Sequence, residues 1–302
     1  MKITGTFLDE ISHDIPHQNW GKKEWDKDFA AMKAIGIDTV ILIRCGYKRW
    51  MTYPSQVLQR QEGCYMPPVD LIDMFLELSQ KYGMAFYLGG YDSGRYWHNG
   101  QFKREVDINL AVFDEIWEKY GKRPAFKGWY LSQEVSRKLG SIIPTYTQMG
   151  QHCKAISGNL PVLISPYIQG TKALAGDKGI SVEEHEKEWN EIMSGIRTGV
   201  DIVAFQDGHV EFDELPEFLS VNKELTLKYG MSSWSNCETF DRDMPIRFLP
   251  IKWEKLLLKL NAAKMAGVEK IITFEFSHFM SPNSAYQQAK GLYDRYKEHF
   301  YL

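Results

Sequence analysis

Short runs of consecutive apolar residues recur along the chain, and segments with helical periodicity separate them. Because the residues within each run do not alternate with polar ones, the pattern is typical of parallel strands that are covered by helices. Eight runs have the length of a buried strand, and we predict strands at residues 3–9, 38–44, 84–90, 126–132, 161–166, 201–206, 231–236 and 270–276.

The segments between these runs place large apolar residues on one helical face. Trp25, Phe29, Met32 and Ile35 share such a face, and the same spacing recurs within 106–117 and 253–260. A glycine then stands between each helix and the next strand, where a left-handed residue commonly ends a helix. We expect this conformation at glycines 36, 83, 121, 158, 199, 230 and 267.

Strands that alternate with helices imply parallel βαβ units. Eight such units predict the α/β class and a closed (β/α)8 TIM barrel, while a doubly wound open sheet is the disfavoured alternative. No Pro/Ser-rich linker interrupts the 302 residues, so we expect one domain over 1–302. The connections that follow strands are the longer ones, and in a barrel they share the C-terminal face, where active sites lie.

Composition narrows the class of protein. The chain is 44% hydrophobic and 25% charged, which is ordinary for a globular protein. No apolar run is long enough to predict a membrane span. The net charge of −3 and the lack of a Lys/Arg block argue against nucleic acid as a partner. The pattern predicts no oligomeric state.

Motif absences exclude several kinds of site. The four cysteines form no CxxC pair, and neither GxGxxG nor HExxH occurs, so we predict no cofactor and no metal. His13 and His17 have a metal-like spacing, but Pro16 breaks a helix between them. The start, MKITGTFLDE, has no long apolar region. We therefore expect a cytoplasmic protein, or a periplasmic or secreted one if a leader has been removed.

Polar and aromatic residues collect where the predicted strands end. Two carboxyl groups across one cleft suit glycosidic bond cleavage, in which one protonates the leaving oxygen and the other stays ionised. The acids that we propose for catalysis are Glu134, Glu238 and Glu275. The residues that we propose for substrate binding are Asp9, Glu10, Arg44, Trp50, Tyr91, Asp92, Trp97, Gln133, Tyr167, Gln206, Asp207, Asn236 and His278.

Two of these positions resemble a known group of enzymes. Gln133-Glu134 in WYLSQEV ends the fourth strand and Glu238 in WSNCETF follows the seventh, which is similar to the clan A retaining glycoside hydrolases. The resemblance implies that Glu134 is the acid/base and Glu238 the nucleophile, with Arg44 and Gln133 holding the nucleophile and a sugar hydroxyl. The chain departs from the clan where Gln replaces the usual Asn before the acid/base, and where Glu275 and Phe276 stand instead of the frequent Trp.

The whole chain also resembles a bacterial family of glycoside-hydrolase-like barrels of unassigned specificity, through TGTFLDEISHD and DTVILIR. A carbohydrate substrate is therefore expected. A carbohydrate-binding barrel without turnover is the alternative function. Glu275 is the rival nucleophile, and Asp207 before Gly208 is more typical of a turn. The loop aromatics, Trp50 among them, suit either sugar faces or the anchoring of their own loops.

Overall fold

Eight parallel strands form a closed barrel in the computed structural model of the chain, which describes residues 1–13, 15–172, 178–242 and 248–302. Each strand pairs with its neighbours in sequence, and the first also pairs with the last. The predicted α/β class and (β/α)8 TIM barrel are therefore confirmed. The strands are β1 (Ile3–Leu8), β2 (Thr39–Leu42), β3 (Ala85–Gly89), β4 (Phe126–Leu131), β5 (Val162–Ile164), β6 (Ile202–Gln206), β7 (Ser232–Asn236) and β8 (Lys270–Thr273).

Helices surround the barrel. They are α1 (Lys22–Ala34), α2 (Gln56–Glu62), α3 (Leu71–Tyr82), α4 (Phe102–Tyr120), α5 (Ile142–Ser157), α6 (Val182–Ile196), α7 (Leu215–Lys228), α8 (Trp253–Ala266), α9 (Phe276–Phe279) and α10 (Gln287–Tyr301). The short α2 and α9 lie in the connections after β2 and β8, and they are additional to the eight helices of the repeat. No helix in the described ranges is both long and apolar enough to cross a membrane.

Two apolar layers explain why the strands have continuous apolar sequences. In β2, Ile41 joins a cluster inside the barrel, whereas Val40 and Leu42 join the outer cluster beneath the helices. Both faces of the strand are therefore buried, as expected in a parallel barrel. Inside, the rings of Phe7 and Tyr130 meet edge to face with centroids 5.1 Å apart. The packed interior supports the polar groups at the strand ends.

The strands are shorter than predicted, most of all β2, β5 and β8, by three residues each, and local chemistry explains the last two. We predicted β8 to residue 276, but it ends at Thr273, because the carboxylate of Glu275 accepts hydrogen bonds from the backbone of Ser277 and His278 and starts α9. We predicted β5 over 161–166, but it spans 162–164. The prolines at both ends of that stretch have no N–H to donate to a sheet.

The glycine prediction holds at five positions and is wrong at two. The φ angle is positive at glycines 36, 83, 158, 230 and 267, whereas Gly121 has φ −59° and Gly199 is not left-handed. A Cβ on Gly121 would lie 2.5 Å from the ring of Trp117. At Gly199 it would lie 2.9 Å from the carbonyl oxygen of Thr147. Close packing, not helix termination, requires glycine at these two positions.

Small sheets stiffen the long connections on the C-terminal face. Gly46–Tyr47 pairs with Trp50–Met51 and with Tyr91–Asp92, so the connections after β2 and β3 are tied together. After β7, Phe240–Asp241 pairs with Leu249–Pro250. Two residues at the mouth of the barrel, Tyr47 and Phe240, therefore stand on hydrogen-bonded backbone. The four cysteines, at 45, 64, 153 and 237, are buried and free.

Candidate active site

A cavity of about 140 Å³ opens at the C-terminal end of the barrel. Both Glu134, which follows β4, and Glu238, which follows β7, line it. Ring closure thus brings together two acids that are 104 positions apart in sequence. The remaining lining residues come mostly from the connections after β1, β2 and β7, and they are Ser12, His13, Ile15, Ile43, Arg44, Tyr47, Gln206, Phe240, Arg242, Phe248 and Phe274.

Glu134 is a carboxyl group in an environment that favours its neutral form. Burial raises its pKa, and this outweighs the opposing attraction of Arg44 and the hydrogen bonds of Tyr130 and Gln206. The Tyr130 hydroxyl donates to Oε1 at 3.0 Å from inside the barrel. Gln206 is anchored in turn because its amide donates to the carbonyl of Ser165 at 2.7 Å. Glu134 therefore holds a proton to a higher pH than an exposed glutamate.

Arg44 joins the candidate acid to the surrounding loops. Its Nη1 donates to Ser12 Oγ at 2.9 Å, and its Nε lies 3.4 Å from Asp92 Oδ2. Burial opposes its charge, but Glu134 and Asp92 outweigh that effect and raise the pKa of the guanidinium. Asp92 is itself fixed by the Trp97 indole N–H at 3.1 Å. Arg44 is thus a permanent positive charge beside Glu134.

Glu238 has the opposite character. Burial by itself would raise its pKa, but the pKa is lowered because Arg242 forms an ion pair with both carboxylate oxygens, at 2.7 and 2.8 Å. The carboxylate packs over Gly208, where a Cβ would lie 1.8 Å from Oε2. A side chain at position 208 would therefore displace the Glu238 carboxylate from this position. Glu238 remains ionised to a lower pH than an exposed glutamate.

A buried ion pair lies directly beneath Glu238. Lys259 on α8 donates to Asp207 Oδ1 at 2.8 Å and to the backbone carbonyl of Glu238 at 3.1 Å. The same Oδ1 of Asp207 accepts the backbone N–H of Glu238 at 3.0 Å. Asp207 does not line the cavity, so the structure gives it the task of holding the Glu238 backbone rather than contacting a ligand.

Glu275 lies away from the cavity. Besides the two backbone N–H groups of α9, its carboxylate binds the imidazole Nδ1 of His278, and the ring's Nε2 contacts the Pro16 carbonyl oxygen at 2.9 Å. Glu275 is fully buried, and no part of it lines the cavity. Glu275 and His278 thus tie the loop after β8 to the loop after β1. The structure does not bring either of them to Glu134 and Glu238.

Four further predicted binding residues also face elsewhere. The Gln133 amide donates to the carbonyl of Tyr91 and to Glu105, both at 3.0 Å, behind β4. The Tyr91 hydroxyl donates to the carbonyl of Lys48 at 2.8 Å. Asn236 donates to Ser165 Oγ at 3.0 Å. Tyr167 packs on the ring of His209, and none of these four lines the cavity.

Three other predicted residues belong to the connections after β1 and β2. Asp9 Oδ1 accepts the backbone N–H groups of Ile11 and Ser12 at 3.0 and 2.9 Å, and so shapes that turn. Glu10 and Trp50 both line a second, larger cavity beside the first. Burial raises the pKa of Glu10 to about 7, with His278 opposing the shift.

Sequence reasoning missed several groups at this site, of which Arg242 and Lys259 matter most. Lys259 had a detectable signal, because it falls on the apolar face of α8 beside Leu256 and Leu260, where an unpaired charge is costly. Arg242 had none, since the charged turn ETFDRD resembles a solvent-exposed loop. Tyr130 reads simply as a core aromatic of β4. Within the described ranges, no group of three or more His, Cys, Asp or Glu side chains could hold a metal ion.

Comparison with known proteins places this geometry in context. A crystal structure of a protein from Bacteroides thetaiotaomicron, described as a "putative alpha-L-fucosidase", is 62% identical. The alignment covers 99% of this chain and 93% of that one, with a TM-score of 0.96. None of the curated proteins compared with the sequence is a significant match.

More distant structures share the fold alone. The cellulose synthase subunit Z of Clostridioides difficile aligns over 98% of both chains at 11% identity and a TM-score of 0.62. An endo-1,4-β-D-mannanase from Thermotoga petrophila is 12% identical over 91% of this chain and 88% of its own, with a TM-score of 0.59. The expected resemblance to the barrels of clan A glycoside hydrolases is thereby confirmed at the level of fold.

A match to a protein-family model shows which family the chain belongs to. The model matches residues 3–286, which is nearly the whole chain, and its description is a domain of unknown function, DUF4434. This agrees with the expectation of a glycoside-hydrolase-like barrel family without an assigned specificity. The chain is a member of the DUF4434 family with a glycoside-hydrolase-like (β/α)8 barrel.

Proposed function

We propose that this protein is a retaining glycoside hydrolase in which Glu134 is the acid/base and Glu238 the nucleophile. One observation supports the proposal above the others. Two carboxyl groups line one cavity, and their surroundings shift their pKa values in opposite directions. Pairs of this kind divide the acid and base roles in glycosidases.

The chemistry follows from the two protonation states. Protonated Glu134 gives its proton to the glycosidic oxygen as the bond from that oxygen to the anomeric carbon breaks. The Glu238 carboxylate forms a bond to the same carbon, which yields a glycosyl-enzyme ester. Water then attacks the anomeric carbon, Glu134 takes the water's proton, and the ester bond to Glu238 breaks. Both carboxyl groups return to their starting states.

The neighbouring residues fit these roles. Arg44 carries a fixed charge near Glu134, which stabilises the carboxylate that Glu134 becomes after donating its proton. Tyr130 and Gln206 orient the same group. Arg242 keeps Glu238 ionised, and the Asp207–Lys259 pair fixes its backbone. None of these side chains needs a cofactor to act.

The choice of sugar is guided by the 62% identical relative from Bacteroides thetaiotaomicron. Because that protein is described as a "putative alpha-L-fucosidase", α-L-fucosides are the first substrates to test on this chain. Aryl mannosides, xylosides and glucosides form the comparison set. We expect turnover of at least one of them by the parent protein.

Trapping of the covalent intermediate tests the mechanism directly. A 2-deoxy-2-fluoro glycosyl fluoride of the accepted sugar slows hydrolysis of the glycosyl-enzyme, so mass spectrometry of a digest is expected to find the label on Glu238. Label on another acid, Glu275 included, would refute the nucleophile assignment. Proton NMR of the first-formed product anomer gives the stereochemistry, and an inverted product would refute retention.

A carbohydrate-binding barrel without turnover is the second candidate, and one contact favours it. Arg242 occupies both carboxylate oxygens of Glu238, whereas a nucleophile needs one oxygen open toward the anomeric carbon. Under this alternative, calorimetry finds glycan binding while none of the glycosides is cleaved over days. Detectable turnover that disappears in Glu134→Gln excludes it.

A further inference from the structure

A second cavity of about 820 Å³ adjoins the one that holds the two acids. The connections after β1 and β2 form its walls, and it shares Ser12, His13 and Tyr47 with the smaller cavity of about 140 Å³. A ligand that extends out of the small cavity past these three residues therefore enters the large one. The sizes differ several-fold, so the large cavity accommodates much more of a ligand than the small one.

The boundary between the cavities is a stacked pair of rings. The rings of His13 and Tyr47 are nearly parallel, at 7°, with centroids 5.6 Å apart. On the acid side, the guanidinium of Arg44 lies 5.2 Å from the Tyr47 ring. Tyr47 is also fixed by backbone pairing of Gly46–Tyr47 with Trp50–Met51 and Tyr91–Asp92. The rings of His13 and Tyr47 thus separate the small cavity from the large one.

Trp50 gives the large cavity a flat apolar surface. Its side chain is 61% exposed and lies beside Tyr65, which is 48% exposed, with ring centroids 5.1 Å apart. Two large neighbouring aromatics exposed on one connection form an apolar patch of the kind that marks binding surfaces. Because Trp50 belongs to a paired strand, its backbone is fixed at the edge of this cavity. Such rings suit the C–H faces of sugars.

Glu10 supplies an unused hydrogen-bond acceptor in the same cavity. Its Oε1 is buried, and no residue in the described part of the chain donates a hydrogen bond to it. The other oxygen lies 3.8 Å from His17 Nδ1. The Glu10 carboxyl group thus has hydrogen-bonding capacity that the described part of the chain does not use, and a ligand hydroxyl that reaches it gains a hydrogen bond.

We propose that this protein binds an oligosaccharide across both cavities. The terminal sugar occupies the small cavity, and the sugars next to it along the oligosaccharide occupy the large one. Trp50 contacts a sugar face and Glu10 accepts a hydroxyl. The proposal rests on the proposed function only for the identity of the small cavity as the site of the terminal sugar. Its consequence is that the substrate class is oligosaccharides, recognised beyond the bond that is cleaved. Binding energy from these remote residues is then available at the reacting centre.

Calorimetry on the Glu134→Gln variant tests this without requiring turnover. The probes are xylotriose, mannotriose, cellotriose and a fucosylated lactose trisaccharide, each paired with its terminal monosaccharide. We expect one trisaccharide to bind at least tenfold more tightly than its monosaccharide. Adding Trp50→Ala is expected to remove that difference and to leave the affinity for the monosaccharide unchanged. Adding Glu10→Ala instead is expected to weaken trisaccharide binding several-fold.

A matched surface variant controls for general effects. Met265 is 80% exposed at the end of α8 that leads into β8, on the opposite face of the barrel, so Met265→Ala is expected to change neither affinity. If every trisaccharide binds no more tightly than its monosaccharide, or if Trp50→Ala leaves the difference intact, the proposal is overturned. If the trisaccharide preference is found while the parent protein cleaves nothing, the hydrolase assignment fails and the binding proposal stands.

Discussion

Arg242 donates one hydrogen bond to each carboxylate oxygen of Glu238, from Nε at 2.8 Å and from Nη2 at 2.7 Å. The guanidinium cannot lose its proton in this setting, so it favours the charged form of the carboxylate at every accessible pH. Burial acts in the other direction on the same group. Arg242 is therefore the main group that keeps Glu238 ionised against burial, and Lys259 and His209 add to its effect.

Replacing Arg242 by methionine is expected to raise the pKa of Glu238, because only the weaker effects of Lys259 and His209 then oppose burial. Under the proposed mechanism, activity falls on the acid side as Glu238 takes up a proton, so that limb of the pH profile of kcat/KM moves to higher pH. Arg242→Lys keeps a positive charge and is expected to move the limb less. An acid limb that stays in place in both variants contradicts the role given to Glu238.

Replacing Glu134 by glutamine removes the proton that leaves with the glycosidic oxygen. We expect kcat to fall by about 10²–10⁴, the usual contribution of general acid–base catalysis. Because burial raises the pKa of Glu134, the parent loses activity as pH rises through that value, and the variant lacks this alkaline limb. Glu118→Gln, on the exposed face of α4, is the control. Full turnover by Glu134→Gln contradicts the assignment.

Much of the barrel could be predicted from the sequence because its signals are local. The stretch of four consecutive apolar residues at 40–43 marks β2, and a helix such as α1 has one apolar face, so both are visible in short windows. Strand ends were less predictable. Glu275 sits in an apolar run and reads as part of β8, yet its carboxylate caps α9.

For the candidate site, the sequence could predict only which strand ends meet at the mouth of the barrel. Closure of the barrel brings Glu134 and Glu238 to one cavity, and the eightfold repeat is sufficient to expect that. Which way a side chain points is decided by tertiary contacts. Gln133 is adjacent to Glu134, but its amide binds Glu105 behind the strand. Arg242 reaches Glu238 through a turn whose sequence resembles an exposed loop.

Removing Lys259 is expected to destabilise the fold. Its ammonium group is buried against Asp207 at 2.8 Å, and Lys259→Met leaves that carboxylate buried without its partner. Breaking a buried ion pair from one side costs about 3–5 kcal/mol of unfolding free energy. Urea unfolding measures this loss.

The double variant isolates the pair itself. Asp207→Asn together with Lys259→Met removes both charges, so we expect its unfolding free energy to exceed that of Lys259→Met alone. If the losses in Lys259→Met and Asp207→Asn simply add in the double variant, the two side chains are not coupled and this prediction is wrong.

The buried pair of Glu275 and His278 is expected to make stability depend on pH in the weakly alkaline range. Burial would lower the pKa of His278, but Glu275 outweighs it, and the pKa rises from 6.5 to about 9. The folded state therefore binds a proton that the unfolded state releases between these values. The stability that this proton contributes is complete below about pH 6.5 and is lost as pH rises through about 9.

Substituting His278 by glutamine removes this titration. We expect the difference in unfolding free energy between the parent and His278→Gln to be large at pH 6 and to shrink at pH 9.5, as measured by urea unfolding at both values. His98→Gln changes an exposed histidine and is expected to leave the difference small at both pH values. A gap between parent and His278→Gln that is equal at pH 6 and pH 9.5 would mean that the buried imidazole does not carry the proton, and that the carboxylate of Glu275 is held by the backbone of α9 alone.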